Sequence, residues 1–300
     1  MISQQIIAAN RLALPLIITY VFYPTLFDTQ LGIITSSLAL GVYMYWLSRR
    51  ELYSLINSLK FSPTLTHKQM LDELITSCNV QPETVVIRYA YTSEMLAMAA
   101  GTTIVLDPVI CSTITDDPEA KKVLEIYTSL VEPTLSSLQK QRLHGFTQAL
   151  STAAQRFIFK HELGHVVRNY SQKKLILVGC LSALSAYAGI TAAMLIIHIS
   201  GLYAALVGIS VGFTADILLT YLSNATFKYY EEKQADLFAA RFSSAQDIRA
   251  AADFFAQHQD ILNTHTEVKK WAVTIPSIIA SGHPDGKARA IYLRKLASSK

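Results

Sequence analysis

His161-Glu162-Leu163-Gly164-His165 stands near the middle of a chain of 300 residues. A stretch with helical periodicity runs directly into it, and residues four apart on a helix project from one face, a turn above one another. Two imidazoles so placed can share one metal ion. Glu162 points near the same ion and remains free to act as a base on water. Five residues alone can arise by accident, so the rest of the chain decides what this pattern means.

The composition points to membrane segments. Hydrophobic residues make up 51% and charged residues 16%, and the mean hydropathy is +0.30, all too apolar for an ordinary soluble chain. The net charge of +4 is small. With no dense Lys/Arg cluster interleaved with aromatics, nucleic-acid binding is excluded. Cys78, Cys111 and Cys180 are odd in number and widely spaced. They make neither a disulfide framework nor a paired-cysteine metal motif, as suits a reducing compartment. The N-terminus lacks a basic opening and a small-residue cleavage site, and Arg11 interrupts it. It reads as a retained membrane segment, not a cleaved signal.

Four apolar runs follow from this. Leu12 to Phe27 and Leu31 to Leu47 flank the polar break Asp28-Thr29-Gln30, and the second ends in Trp46 and then Arg49-Arg50. Leu175 to Ile197 and Leu202 to Leu222 flank a short loop and follow Lys173-Lys174. Each pair reads as a membrane hairpin rich in small residues that permit close helix packing. Arg49, Arg50, Lys60, Lys173, Lys174 and Lys228 then share one side, and the short connecting loops carry no Lys or Arg. By the positive-inside rule the soluble part faces the cytoplasm. Asp216 interrupts the fourth run, where an acid must face the bundle or a wet cavity.

Between the hairpins the pattern is mixed. Residues 51–60 and His67 to Thr76 read as amphipathic helices, and Glu83 to Tyr89 and Thr102 to Leu106 as short strands with a turn at Gly101. Thr115 to Pro118 reads as a loop or cap. Glu119 to Phe159 reads as helical, broken at Pro133, and continuous with the 161–165 helix. The Thr102–Leu106 strand is expected to pair with an extended peptide by strand addition.

A catalytic zinc site needs three protein ligands and an open position. After the fourth apolar run stands Tyr229-Tyr230-Glu231-Glu232-Lys233-Gln234-Ala235-Asp236. Glu232 and Asp236, at i,i+4, share a helical face. Glu232 can serve as the third ligand, and Asp236 can accept a ring N–H from a ligand histidine and so fix its tautomer.

Taken together, His161-Glu162-x-x-His165, two intervening apolar runs, Glu232-x-x-Ala235-Asp236 and His283-Pro284 followed by Arg289 resemble the membrane-integrated zinc peptidases of the HtpX and CAAX prenyl endopeptidase type. The resemblance covers most of the chain. It implies one zinc ion per chain on His161, His165 and Glu232, with Glu162 as the base. It further implies Asp236 behind a ligand histidine, holding its ring, and His283 and Arg289 beside the cleft, His283 assisting catalysis at the oxyanion. Two departures stand out. Glu94-Met95-Leu96-Ala97 replaces the family's usual Asn-Ala-x-Ala ahead of Gly101, and a long helical stretch, roughly 116–155, precedes the zinc helix.

The expected fold is mainly α with a small β-sheet, a zincin-like metallopeptidase domain carrying two transmembrane helical hairpins. Its divisions are 1–50 (first hairpin), 51–172 (catalytic, with the 161–165 helix), 173–223 (second hairpin) and 224–300 (catalytic, with the third ligand and the His-Pro and Arg element). The expected activity is zinc-dependent endopeptidase cleavage of membrane or misfolded proteins at the cytoplasmic face, in protein quality control. The partners are protein or peptide substrates, unfolded membrane proteins above all, and the lipid bilayer. A bacterial inner membrane fits best, with organellar or endoplasmic-reticulum membrane also open. Two other readings compete: a prenyl-protein (CAAX-type) processing peptidase, and a catalytically inactive membrane scaffold of the same fold.

Overall fold

The computed structural model describes residues 30–90, 97–107, 117–130, 150–196, 201–264 and 286–300. These fall into two compact units, one drawn from residues 1–53 and 172–224, the other from 54–171 and 225–300. The fold is mostly helical with one small sheet. The expected first span, Leu12 to Phe27, lies outside the described residues.

The elements are, in order, α1 (Gln30–Ser58), α2 (Leu65–Thr76), β1 (Val86–Tyr89), β2 (Ala97–Ala100), β3 (Thr103–Leu106), α3 (Pro118–Leu130), α4 (Thr152–Val167), α5 (Tyr170–Ile196), α6 (Gly201–Arg241), α7 (Ala245–Thr264) and α8 (Gly286–Ser298). In the first unit, helices meet at glycines. A Cβ on Gly41 would lie 2.6 Å from the Gly179 carbonyl oxygen, and one on Gly189 would lie 2.7 Å from that of Gly208. Both are closer than real Cβ atoms approach, so hydrogen is required there and backbones come nearly into contact. The large apolar side chains point the other way: Leu184, Leu195, Leu206, Leu218 and Leu222 are all exposed. Asp216 of α6 lies beside Ser185 of α5. Among the described residues, two helices are long and apolar enough to cross a membrane, Tyr170–Leu195 and Leu206–Arg241.

The second unit is built on α4. Its N-terminus is capped by the Ser151 hydroxyl, which accepts from the Ala154 N–H at 3.2 Å. From Ala154 through Val166 only Arg156 is not buried, because α4 is covered on several sides. Helix α7 and strands β2 and β3 pack on it. Leu71 and Ile75 of α2 join Ile104, Ile158, Leu163 and Phe254 in one core, while Phe157, Ile248, Ala251, Ala252 and Leu293 form a second with α7 and α8.

Several expectations need correcting. The helical stretch expected to flow directly into the 161–165 helix is interrupted before it: Leu150 and Ser151 are non-helical, and α4 starts after the Ser151 cap. The Leu31–Leu47 run and residues 51–58 form one helix, α1, because helical hydrogen bonding takes no notice of a change from apolar to mixed side chains. The strand expected from Glu83 begins only at Val86, since Pro82–Thr84 forms a 3₁₀ turn. Most consequential is the sheet. Its order is β1-β3-β2, with β3 pairing parallel to β1 and antiparallel to β2. Strand β3 is therefore interior, all four residues buried. Both its edges are taken, so it cannot pair with a peptide as expected. The sheet's edges are β1, bridged at Tyr89 by Phe61, and β2, Ala97–Ala100, which joins β3 through a turn in which Gly101 has φ 63°. That left-handed conformation is one glycine adopts without strain.

Asp247 ties α7 to α4. It accepts from Arg156 at 2.9 Å, and its own N–H donates to the Ser244 hydroxyl oxygen at 3.1 Å in a capping arrangement at the start of α7. Burial raises the Asp247 carboxyl, but hydrogen bonds from Arg156 and Ser244 outweigh it and hold the pKa below the ordinary range. A carboxyl lowered on folding contributes stability that is present above the unfolded pKa of ~3.9 and lost as pH falls through the folded value. Acid unfolding of an Asp247→Asn variant, followed by circular dichroism below pH 4, is thus expected to depend less steeply on pH than that of wild type. Equal steepness would remove Asp247 from the acid response.

Candidate metal centre

Two helices supply the centre, and small residues let them approach. A Cβ added to Gly164 would lie 3.2 Å from the Ala235 Cα and 3.2 Å from the Phe238 side chain. Gly164 of α4 and Ala235 of α6 thus form the contact that brings His161 and His165 against Glu232 and Asp236. Both helix faces are sealed here: His161 and His165 are 5% exposed, Glu232 6% and Asp236 1%.

His165 Nε2 lies 3.2 Å from His161 Nε2, while the Glu232 carboxylate lies 3.3 Å from His161 Nε2 and 3.4 Å from His165 Nε2. Among the described residues these three form a cluster able to hold a metal ion. Chemistry and spacing both fit zinc. His161 Nδ1 lies 2.9 Å from Asp236 Oδ1 and 3.0 Å from Arg289 Nη2; with the proton on Nδ1 facing the carboxylate, Nε2 has a lone pair aimed at two further electron-pair donors. Such convergence is repulsive without a cation between. Four ligands held tetrahedrally at ~2.0–2.1 Å from zinc stand about 3.3–3.4 Å from one another, which is the spacing seen. His165 Nδ1 is buried with no hydrogen-bond partner among the described residues. Its ring packs at a tilt against Tyr170, at a centroid distance of 4.7 Å, and Tyr170 in turn stacks on Phe227 at 5.7 Å.

Behind the ligands sits a buried ion pair. Arg289 forks onto Asp236, Nε to Oδ2 at 2.9 Å and Nη2 to Oδ1 at 2.6 Å. It also lies 3.7 Å from Glu232 Oε2 and stacks on the Phe255 ring, its guanidinium carbon 3.8 Å from the centroid. Asp236 Oδ1 therefore receives both His161 and Arg289. Burial opposes the Asp236 charge, yet Arg289 and His161 hold its pKa below the usual carboxylate range. Burial and the Arg289 charge likewise oppose a charged His161, but Asp236 and Glu232 raise its imidazole to about 9. The ring thus sits in a field that calls for a cation, which a proton or a metal ion can supply.

Glu162 is 9% exposed and makes no hydrogen bond or ion pair among the described residues. Its charge acts on both Arg289 and Tyr170. Burial, followed by Glu232, Glu231 and Glu162, pushes the Tyr170 phenol well above its ordinary range. The structure thus brings together His161, Glu162, His165, Glu232, Asp236 and Arg289. His283 lies outside the described residues.

Three neighbours had no part in the sequence reading. Glu231, 2% exposed, faces Arg168, whose Nε lies 3.3 Å away. Tyr170 packs against His165, and Phe255 underlies Arg289. Only Glu231 left a signal, an acid one residue from a ligand on a helix leaving an apolar run.

A helical domain carrying this constellation is that of a metallopeptidase. A sequence model of peptidase family M48 matches residues 66–297, and the chain belongs to that family, whose HtpX and CAAX protease members share this type of domain. No curated protein and no solved structure matches the chain.

Proposed function

We propose that this chain is a membrane-bound, zinc-dependent endopeptidase in which His161, His165 and Glu232 hold one zinc ion and Glu162 is the base. The convergence of three ligand atoms at 3.2–3.4 Å carries the reading. A zinc ion on these three residues would supply Lewis acidity for a peptide carbonyl and for an attacking water near neutral pH. Glu162 takes the proton of the attacking water and returns it to the leaving amine. Asp236 fixes the His161 tautomer and orientation, and Arg289 balances the Asp236 charge within the protein. His283, assigned by resemblance, assists at the developing oxyanion. The outer edge of β2, unpaired among the described residues, offers backbone groups to an extended peptide.

The domain is read as zincin-like, with residues 51–172 and 224–300 forming its two parts around hairpins at 1–50 and 173–223. Glycine contacts inside α1, α5 and α6 together with large apolar side chains outside favour lipid as the surroundings of the first unit. The active site then faces the cytoplasm, by the placement of Arg and Lys beside the apolar runs. Unfolded segments of membrane proteins are the substrates that strand pairing at such a site accepts, as protein quality control requires.

The test is metal analysis of purified wild type beside Glu232→Ala. Wild type is expected to carry about one zinc per chain. The variant, reduced to two histidine ligands, is expected to lose most of it on dialysis. Equal content in both would overturn the ligand assignment.

A further inference from the structure

One cavity in the second unit lies outside the metal centre. It measures about 320 Å³ and is lined by Met70 and Leu74 of α2, Ile158 and Phe159 of α4, and Ala97 of β2, with His67, Glu73, Gln155 and Arg156 among its polar residues. That volume lies near the lower end of ligand pockets, which span ~300–1,000 Å³. It suits a single large side chain.

Its position connects it to the site. Gln155, Ile158, Phe159 and Glu162 occupy i, i+3, i+4 and i+7 of α4 and so share one face. Phe159 lies about 4.5 Å along the axis from Glu162, at 1.5 Å per residue. The cavity is therefore one turn from the base. The Gly101 N–H donates to Ser171 Oγ at 2.9 Å, just beyond the C-terminus of α4. Strand β2 thus runs the same way as α4, and its Ala97 end lies beside the cavity. A peptide added antiparallel to β2, as β3 is, has its C-terminal part at that end.

The cavity also has a polar wall. His67 is 3% exposed, and its Nδ1 lies 3.0 Å from Asp117 Oδ2. Asp117 accepts from the Tyr89 hydroxyl at 2.9 Å and from the Thr64 N–H at 3.1 Å, and Tyr89 also contacts His67 Nδ1. With Nδ1–H given to Asp117, the ring presents Nε2 as an acceptor. Burial holds the imidazole below its ordinary range despite Asp117, which keeps that acceptor neutral.

We propose that this cavity receives the side chain following the scissile bond, and that it takes a large aromatic group with a hydrogen-bond donor at its tip, a phenol or an indole. The proposal rests on the peptidase reading. Its test uses the full chain, zinc-loaded in detergent, and unstructured peptides identical except for Ala, Leu, Phe, Tyr or Trp after the cleaved bond. Tyr and Trp are expected to exceed Ala in kcat/KM by roughly tenfold or more, the scale on which one buried group discriminates, and Tyr to exceed Phe. Leu74→Trp and Met70→Trp, which fill the cavity from its half-buried side, are expected to collapse the Tyr-to-Ala ratio toward one. The same peptides are titrated onto the Glu162→Gln protein, where binding is read without turnover and is expected to follow the same order. Cleavage of all peptides without that order, or a Tyr-to-Ala ratio that survives both fillings, overturns the pocket and leaves the peptidase reading standing. Binding in that order with no cleavage by wild type supports the pocket and overturns the peptidase reading. Tyr no better than Phe overturns the role given to His67.

Discussion

Glu162→Gln is expected to lower kcat for an unfolded polypeptide by ~10²–10⁴, the range over which a positioned general base acts, while zinc content stays at the wild-type level. The two halves of that result have separate causes. Glutamine keeps the size and shape of the side chain, so the packing of α4 against α6 at Gly164 is undisturbed. Glu162 is outside the cluster formed by His161, His165 and Glu232, so the donor set is intact. What glutamine lacks is a site for the proton that water must lose. The deficit belongs in kcat, because Glu162 acts on the reacting water and contributes little to holding an extended peptide along β2. Single-turnover cleavage and metal analysis on the same preparation check both halves. An unchanged rate would rule out Glu162 as the base. Loss of zinc together with activity would move it into the ligand set.

Much of this centre could be read from spacing alone. The i,i+4 pairs His161/His165 and Glu232/Asp236 are local properties of helices, and the apolar run before Lys228 shows where a long helix comes from. Less legible was that α6 is a single helix of 41 residues. Its composition changes sharply near Lys228, and side-chain polarity masks a backbone ladder that continues regardless. Strand β2 was missed for the opposite reason. Ala97-Met98-Ala99-Ala100 has no β-branched or aromatic residue to mark it, and it is extended because Gly101 turns it back onto β3. The Thr102–Leu106 strand was recognised from its Ile and Val, but those residues mark burial as readily as pairing. The apolar character that revealed the strand is also what places it inside the sheet. Burial of Glu231 beside Arg168, and of His67 beside Asp117 fifty residues away, depends on tertiary contacts that no local pattern encodes.

The largest effect on the folded protein is expected from Asp236→Ala. Asp236 is the sole carboxylate forked by Arg289 among the described contacts, and both side chains are nearly sealed from water, at 1% and 9% exposure. Removing one partner of a buried pair strands the other charge at a cost of about 3–5 kcal/mol, partly offset here by Glu232, 3.7 Å from Arg289. That offset is itself damaging, because a Glu232 carboxylate drawn toward Arg289 is drawn away from the two histidines. At the same time His161 loses the acceptor for its Nδ1–H, and an outer partner of this kind is worth ~10–100-fold in metal affinity. The expected result is a lowered melting temperature for the metal-free protein together with zinc binding weakened by that factor or more in a chelator competition. The double variant Asp236→Ala/Arg289→Met separates the two losses. Removing the stranded guanidinium is expected to restore much of the stability, since thioether packing on Phe255 carries no charge to bury. Zinc affinity is expected to stay low, because His161 is still without its acceptor. If the double variant recovers neither property, Arg289 is not the source of the instability; if it recovers both, Asp236 matters to the metal only by neutralising Arg289.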